Sequence, residues 1–295
     1  MKPGRDLYSP VHTGADGTVT VELGADHPGF SDPDYRARRD AIASLAVGRR
    51  PGDPIPEVAY ADIEHDVWKT VNTELARKHE QYATRSFLDG QAALDLPRDH
   101  IPQLTEVTSR LDPVTAFHYE PVAGLAPLRT FYGSFDHGEF LSTQYIRHHS
   151  SPLYTPEPDI VHEVIGHANQ LADPSIARLY RLVGEAVQRV ETDEALRMLS
   201  RVFWFTFEFG VVEEDGEIKT YGAGLLSSFG ELDEFRGADV RPLDFAAMAN
   251  VEYDITHYQP VLFAARSMQH LHDELAQFLA DFTDEVPSRP ASARR

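Results

Sequence analysis

The chain has 295 residues, enough for one large domain or two modest ones, and 42% of them are hydrophobic. Forty-seven acidic side chains against 27 basic ones give a formal net charge of −20, a field that repels nucleic acid and acidic membrane faces. Cysteine is absent, which removes disulfides, thiolate metal sites and cysteine nucleophiles together, so any metal must rest on His, Asp or Glu.

Residues 1–26 are rich in Gly, Asp, Thr and Pro and read as an extended N-terminal arm, with one alternating stretch, Thr18–Glu22, as a strand. Asp32-Pro33-Asp34 is a helix start signal, and the helix predicted over 32–47 carries Tyr35, Ile42 and Leu45 on its apolar stripe. Three prolines make 49–56 a loop. A long helix is predicted from Tyr60 to Ala83, with Trp68, Val71 and Leu75 facing inward, and further helices over 84–94 and 101–111. Between Ala116 and Tyr145, short runs broken by Gly and Pro predict brief strands and loops. Helices are expected over 159–172, 174–190 and 193–212, a strand over 217–221, and helices over 243–251 and 259–282. The last of these places Leu262, Ala265, Met268, Leu271, Leu275 and Leu279 on its apolar face.

Residues 286–295 read as a polar, disordered tail. No repeat and no Gly/Ser-rich linker divides the rest. The expected architecture is therefore mainly α: one catalytic domain over 27–285 with a few short strands. No apolar run reaches the roughly 18 residues that suggest a membrane span, and the start lacks the apolar segment of a secretory signal. A cytoplasmic location is expected, with no membrane and no nucleic-acid partner.

The most informative stretch runs from Pro156 to His167 and contains His162, Glu163, Gly166 and His167. The two histidines are five positions apart, which on a regular α-helix puts them roughly 140° out of phase. The zinc-peptidase helix uses four, so that both imidazoles share a face. Five requires a helix that ends or widens near the second histidine, and Gly166 is where the backbone can do so. A second element, Phe203 to Val212, contains a single ionisable residue, Glu208, among aromatic and aliphatic neighbours. A buried carboxylate must neutralise or find a cation. A divalent metal held by two histidines is such a cation; Arg147 is another. Two imidazoles and one carboxylate match the ligand set of non-haem iron oxygenases, while softness alone leaves zinc open.

These residues resemble the pterin-dependent aromatic amino acid hydroxylases, most closely the members acting on phenylalanine. The resemblance is carried by His27-Pro-Gly-Phe30, Tyr35-Arg-Ala-Arg-Arg39, Ile101-Pro-Gln-Leu104, Pro121-Val-Ala-Gly-Leu125, Thr143-Gln-Tyr-Ile-Arg-His148 and Tyr154-Thr-Pro-Glu-Pro-Asp159. It continues through His162-Glu163 with Gly166-His167, Trp204-Phe-Thr-Phe-Glu-Phe-Gly210 and Tyr221 to Glu231. It spans about residues 25–280 in order. It implies Fe(II) on His162, His167 and Glu208, with tetrahydropterin as cofactor, O2 as co-substrate and ring hydroxylation of an aromatic amino acid as the reaction.

Further roles follow from the resemblance position by position. Arg147 matches the anchor for the substrate carboxylate, with Thr155 and Ser227 as hydrogen-bonding helpers and Trp204 as an aromatic wall. Phe131 matches the ring stacked on the pterin, and Val122, Gly124, Leu125 and Ala126 the loop at its polar edge. Glu163 matches an acid near the pterin, and Asp159 a residue orienting a ligand histidine. Trp204 points to phenylalanine or tyrosine, since tryptophan hydroxylases tend to carry Phe there, and the lack of an obvious extra polar group for a phenol favours phenylalanine. Conversion of L-phenylalanine to L-tyrosine is the leading expectation, with a 3-hydroxylase giving meta-tyrosine, or a tryptophan hydroxylase, as alternatives. The departures are Ala168-Asn169-Gln170, where the family usually reads Val-Pro-Leu, Phe203 for Tyr, and Leu141 for a histidine of the mammalian enzymes. They lie near the metal and pocket and bear on the ring carbon attacked. The family's N-terminal regulatory domain and C-terminal coiled coil have no residues here, so a monomer or weak dimer is expected. Two readings from other classes are a zinc hydrolase using Glu163 as general base and a non-catalytic protein binding an aromatic amino acid.

Overall fold

The computed structural model describes residues 9–50, 52–253 and 257–286. The arm forms a hairpin: β1 (Val11–Thr13) pairs antiparallel with β2 (Val19–Val21). Val19, Val21 and Leu23 are buried against Ala43, so the arm packs onto helix α1 (Pro33–Ala46). Asp32 caps α1, accepting hydrogen bonds from the backbone N–H groups of Asp34 and Tyr35. The apolar stripe is narrower than expected. Leu45 is exposed, and Arg39 joins Ile42 and Ala43 on the buried face, because Arg39 pairs with buried Glu157 at 2.6 Å.

Helices α2 (Asp62–Tyr82), α3 (Arg85–Leu94) and α4 (Leu104–Thr115) follow. Trp68, Val71 and Leu75 are buried as expected, and the Trp68 indole donates to the Pro97 carbonyl at 3.0 Å. Strands β3 (His118–Pro121) and β4 (Glu139–Ser142) pair in parallel, with α5 (Leu128–Ser134) between them. His162–Ala168 is a π-helix that runs into α6 (Asn169–Leu171). It is followed by α7 (Pro174–Arg189) and α8 (Asp193–Phe203), which widens into a second π-helix over Trp204–Glu208.

The helix expected over 193–212 therefore stops short. Val211 and Val212 belong to β5 (Val211–Glu214), which turns through Asp215 and Gly216, both at positive φ, into β6 (Glu217–Thr220). Next come α9 (Ala223–Ser227), α10 (Glu231–Glu234), β7 (Asp239–Pro242), α11 (Phe245–Met248), β8 (Val261–Ala265) and α12 (Met268–Ala280). The sheet order is β6-β5-β8-β7, with β8 parallel to both of its neighbours.

The helix expected over 259–282 is thus two elements. A five-residue apolar run suits a buried strand as well as a helix, and pairing on both edges decides for the strand. Ser267 then starts α12, its hydroxyl accepting from His270 N at 3.1 Å. Val286 is buried in the main core; the remaining tail, 287–295, and the first eight residues of the arm lie outside the described residues. No helix among the described residues is long and apolar enough to cross a membrane.

Candidate metal centre

The two π-helical segments face each other across the core and solve the spacing problem. A hydrogen-bond step of five residues brings positions i and i+5 into register. His162 and His167 then point the same way, and their Nε2 atoms approach to 2.9 Å. Gly166 contributes through close packing and not through its φ: a Cβ there would meet the Ala223 carbonyl oxygen at 2.8 Å, so α9 can lie against the widened turn. In the second segment Phe209 N donates to Trp204 O at 2.9 Å, and the turn ends on Glu208. One Glu208 oxygen lies 3.2 Å from His167 Nε2 and the other 3.5 Å from His162 Nε2.

Three ligands on one octahedral face, each about 2.1 Å from a metal, sit about 3.0 Å apart. The observed triangle has that size. Both free ring nitrogens are engaged: His162 Nδ1 meets Ser227 Oγ at 2.9 Å and His167 Nδ1 meets Tyr180 Oη at 2.8 Å. Ser227 donates its own proton to the Ala223 carbonyl at 2.8 Å, so it accepts from His162 and leaves the Nε2 lone pair turned inward.

Electrostatics separates the two nearby acids. Burial tends to raise the Glu208 carboxyl, but the facing histidines outweigh it and hold the group below its ordinary value. Burial, with a smaller push from the Glu208 charge, raises Glu163 to about 8, which favours its neutral form near pH 7, and it accepts from Thr143 Oγ1 at 3.1 Å. A carboxylate oxygen of Glu163 also lies within 4.8 Å of ligand nitrogens of both histidines, so what sets it apart from Glu208 is its deeper burial and its bond to Thr143. Burial also lowers His162 to about 4, keeping that imidazole neutral and able to coordinate.

A cavity of about 700 Å³ opens over the triangle. Arg147, Thr155, Trp204 and Ser227 line it, as do Val122, Leu125, Ala126, Phe131 and Glu163. Gly124 does not; it backs onto the arm, where a Cβ would meet Val11 at 2.7 Å. Arg147 is buried with its Nε and Nη2 on the two oxygens of Asp159 at 2.9 and 2.8 Å. Asp159 also accepts from Arg147 N at 2.8 Å, so it orients the arginine; the ring nitrogens of the two histidines are held by Ser227 and Tyr180 instead. Thr155 Oγ1 donates to Glu157 O within its own turn at 3.0 Å. Trp204 stacks on Tyr253 at 4.3 Å and donates to Gln259 Oε1 at 3.0 Å. Phe203 also lines the cavity and packs against aromatic rings, including Phe207 at 4.7 Å.

Reasoning from sequence assigned no role to Tyr180, Gln170, Thr143 or Glu231. A tyrosine within an amphipathic helix carries no signal of its own, whereas Gln170 in a buried apolar run does. Glu231 is buried on the cavity wall, accepts from Gln259 N at 2.7 Å, and is raised by burial to about 7. The native state keeps this proton while the unfolded chain, near 4.5, has lost it, so this group makes stability fall as pH rises from about 4.5 to 7. Glu231→Gln keeps the acceptor and is expected to flatten that part of the slope, measured as thermal midpoints at pH 5 and pH 8. Equal slopes in parent and variant would refute this.

Gly222 packs against the carbonyl of Glu208: an added Cβ would meet that oxygen at 2.4 Å and Gly210 N at 2.6 Å. Backbone cannot yield cheaply there. Gly222→Ala is expected to weaken Fe(II) binding at least about tenfold, as disturbing a ligand's support does elsewhere; competition with a chromogenic chelator checks it.

Two imidazoles, one carboxylate and an open cavity on the remaining side define the site class of non-haem iron oxygenases. The family described as biopterin-dependent aromatic amino acid hydroxylase matches residues 16–288, and the chain belongs to that family. It is 48% identical over 252 residues to a phenylalanine 3-hydroxylase from Streptomyces coeruleorubidus, covering 85% of this chain and 90% of that one. It is 41% identical over 280 residues to the phenylalanine-4-hydroxylase of Rattus norvegicus, covering 93% of this chain but only 60% of the rat enzyme. The phenylalanine hydroxylase of Chromobacterium violaceum, solved with iron(III) and 7,8-dihydrobiopterin, superposes with a TM-score of 0.70 at 27% identity over 76% of this chain and 85% of that one. The chain is a biopterin-dependent aromatic amino acid hydroxylase, as the resemblance implied.

Proposed function

We propose that the protein hydroxylates the ring of L-phenylalanine, and that His162, His167 and Glu208 hold the iron. The observation that carries this reading is the convergence of those three side chains beneath a largely apolar cavity with a buried guanidinium in its wall. Bound Fe(II) and tetrahydropterin supply the activation of dioxygen and the reducing electrons. The chain's own residues bind, orient and exclude water. Arg147 has spent its Nε and Nη2 edge on Asp159, so the substrate carboxylate takes the remaining N–H groups at Nη1 and Nη2. Trp204 offers a flat wall to the aromatic ring, and Thr155 and Ser227 border the amino acid. Phe131 presents a ring face to the pterin, and the backbone of Val122, Leu125 and Ala126 meets its polar edge. Neutral Glu163 offers an O–H donor into the cavity.

Attack at C4, giving tyrosine, is the primary reading. The 48% identity to a 3-hydroxylase, with Leu141 rather than a charged group on the cavity wall, favours a second: attack at C3. Iron-loaded protein incubated with L-phenylalanine, tetrahydropterin and air is expected to yield a hydroxylated product, and chromatography against para- and meta-tyrosine decides between the two. No product from phenylalanine, tyrosine or tryptophan would overturn the proposal. A cytoplasmic monomer or weak dimer, with no nucleic-acid or membrane partner, completes it.

A further inference from the structure

We infer that Gln170 and Tyr180 form a hydrogen-bond relay that fixes the tautomer and ring angle of His167 and ties them to the position of Glu208. The direction of every proton in it follows from the donor inventory. Gln170 Nε2 donates to the carbonyl oxygens of Phe207 and Tyr221, both at 2.9 Å. Two carbonyls can only accept, so the amide cannot be flipped, and Oε1 is the atom turned toward Tyr180. The Tyr180 hydroxyl donates to that oxygen. Its single proton is therefore used, and it can only accept from His167 Nδ1, 2.8 Å away. His167 must then carry its proton on Nδ1, leaving the Nε2 lone pair aimed at His162 and Glu208.

All three side chains are almost completely buried, so water cannot replace any link. The far end of the relay is anchored beside the third ligand: Phe207 precedes Glu208, and Tyr221 precedes the glycine packed on the Glu208 carbonyl. A shift of the Glu208 turn is thus transmitted to the His167 ring. Gln170 also explains one of the departures noted above, since an apolar residue there could neither fix the amide nor accept from the phenol. Both residues are positioning residues; neither lines the cavity.

The inference rests on the proposed ligand set and is tested on the full chain by Fe(II) dissociation constants from chelator competition. Tyr180→Phe is expected to bind Fe(II) about 10- to 100-fold more weakly, and its effect is expected to shrink when Gln170 is already Leu, because without the Gln170 acceptor the phenol no longer holds His167 in one tautomer. Tyr60→Phe, which removes another tyrosine hydroxyl bond, to Gln144 O at 2.7 Å, serves as control and is expected to stay within twofold of the parent. In zinc-loaded protein with nitrogen-15 histidine, the His167 Nδ1–H signal protected from exchange in the parent is expected to be lost in Tyr180→Phe. Wild-type affinity in Tyr180→Phe, an equal loss in Tyr60→Phe, or losses that multiply in the double variant would each overturn the relay. Full iron affinity in His167→Ala would instead overturn the ligand set itself.

Discussion

Glu208→Ala is expected to leave a folded protein that cannot retain ferrous iron and has no coupled turnover. The Glu208 carboxylate faces both imidazoles, and the other acid within reach of them is Glu163. That acid is pushed towards its neutral form by burial and already engaged with Thr143. Disturbing a residue that merely supports a ligand costs about 10- to 100-fold in metal affinity, so deleting the ligand exceeds about 100-fold. The fold survives because the large core beneath the site is built from aromatic and aliphatic packing that does not involve Glu208. Chelator competition with a thermal melt of the metal-free protein separates the two outcomes. Iron binding within tenfold of the parent would show that the triangle is not the site; the same assay on His167→Ala is expected to agree.

Asp159→Ala is expected to remove about 3–5 kcal/mol of stability, the range measured when one partner of a buried ion pair is taken away. The pair is 3% and 0% exposed, and Arg147 cannot discharge by losing its proton. The loss of the backbone acceptor for Arg147 N adds to the effect. Arg147→Ala strands a carboxylate instead, which can escape by protonation, so its expected stability loss is smaller while the substrate KM rises. Denaturant unfolding gives the first quantity and steady-state kinetics the second. Were Asp159→Ala to cost less than about 1 kcal/mol, the pair would not be the buried anchor described here; an unchanged KM in Arg147→Ala would remove the substrate role.

Much of this was legible beforehand, and the reasons differ from residue to residue. Trp68, Val71 and Leu75 repeat at helical spacing, so α2 could be placed and its inward face named. Asp32-Pro33 marked the start of α1. The metal centre was legible because a lone carboxylate among phenylalanines demands a cation, and because a five-residue spacing demanded a distorted helix. The element around β8 was not, since Val261–Ala265 is apolar throughout and only its two strand neighbours, distant in sequence, decide its conformation. Tyr180 was invisible for a similar reason: its partner lies ten positions away across a helix boundary. The hydroxyls of Ser227 and Thr155 and the fork of Arg147 border the cavity, but which bonds they already make depends on Ala223, Glu157 and Asp159, and spacing does not reveal that.

The widened turn over His162–Ala168 has a consequence for how the gene can vary. A one-codon deletion between the two histidines would return the segment to ordinary α-helical geometry with a four-residue separation, so both rings would still share a face. Everything downstream would swing by about 100°, carrying Gln170 away from Tyr180 and the packing surface away from α9. Insertions and deletions of even one residue are therefore not tolerable, and with Glu163 to Ala168 all buried natural variants must preserve the length of this segment as well as its composition.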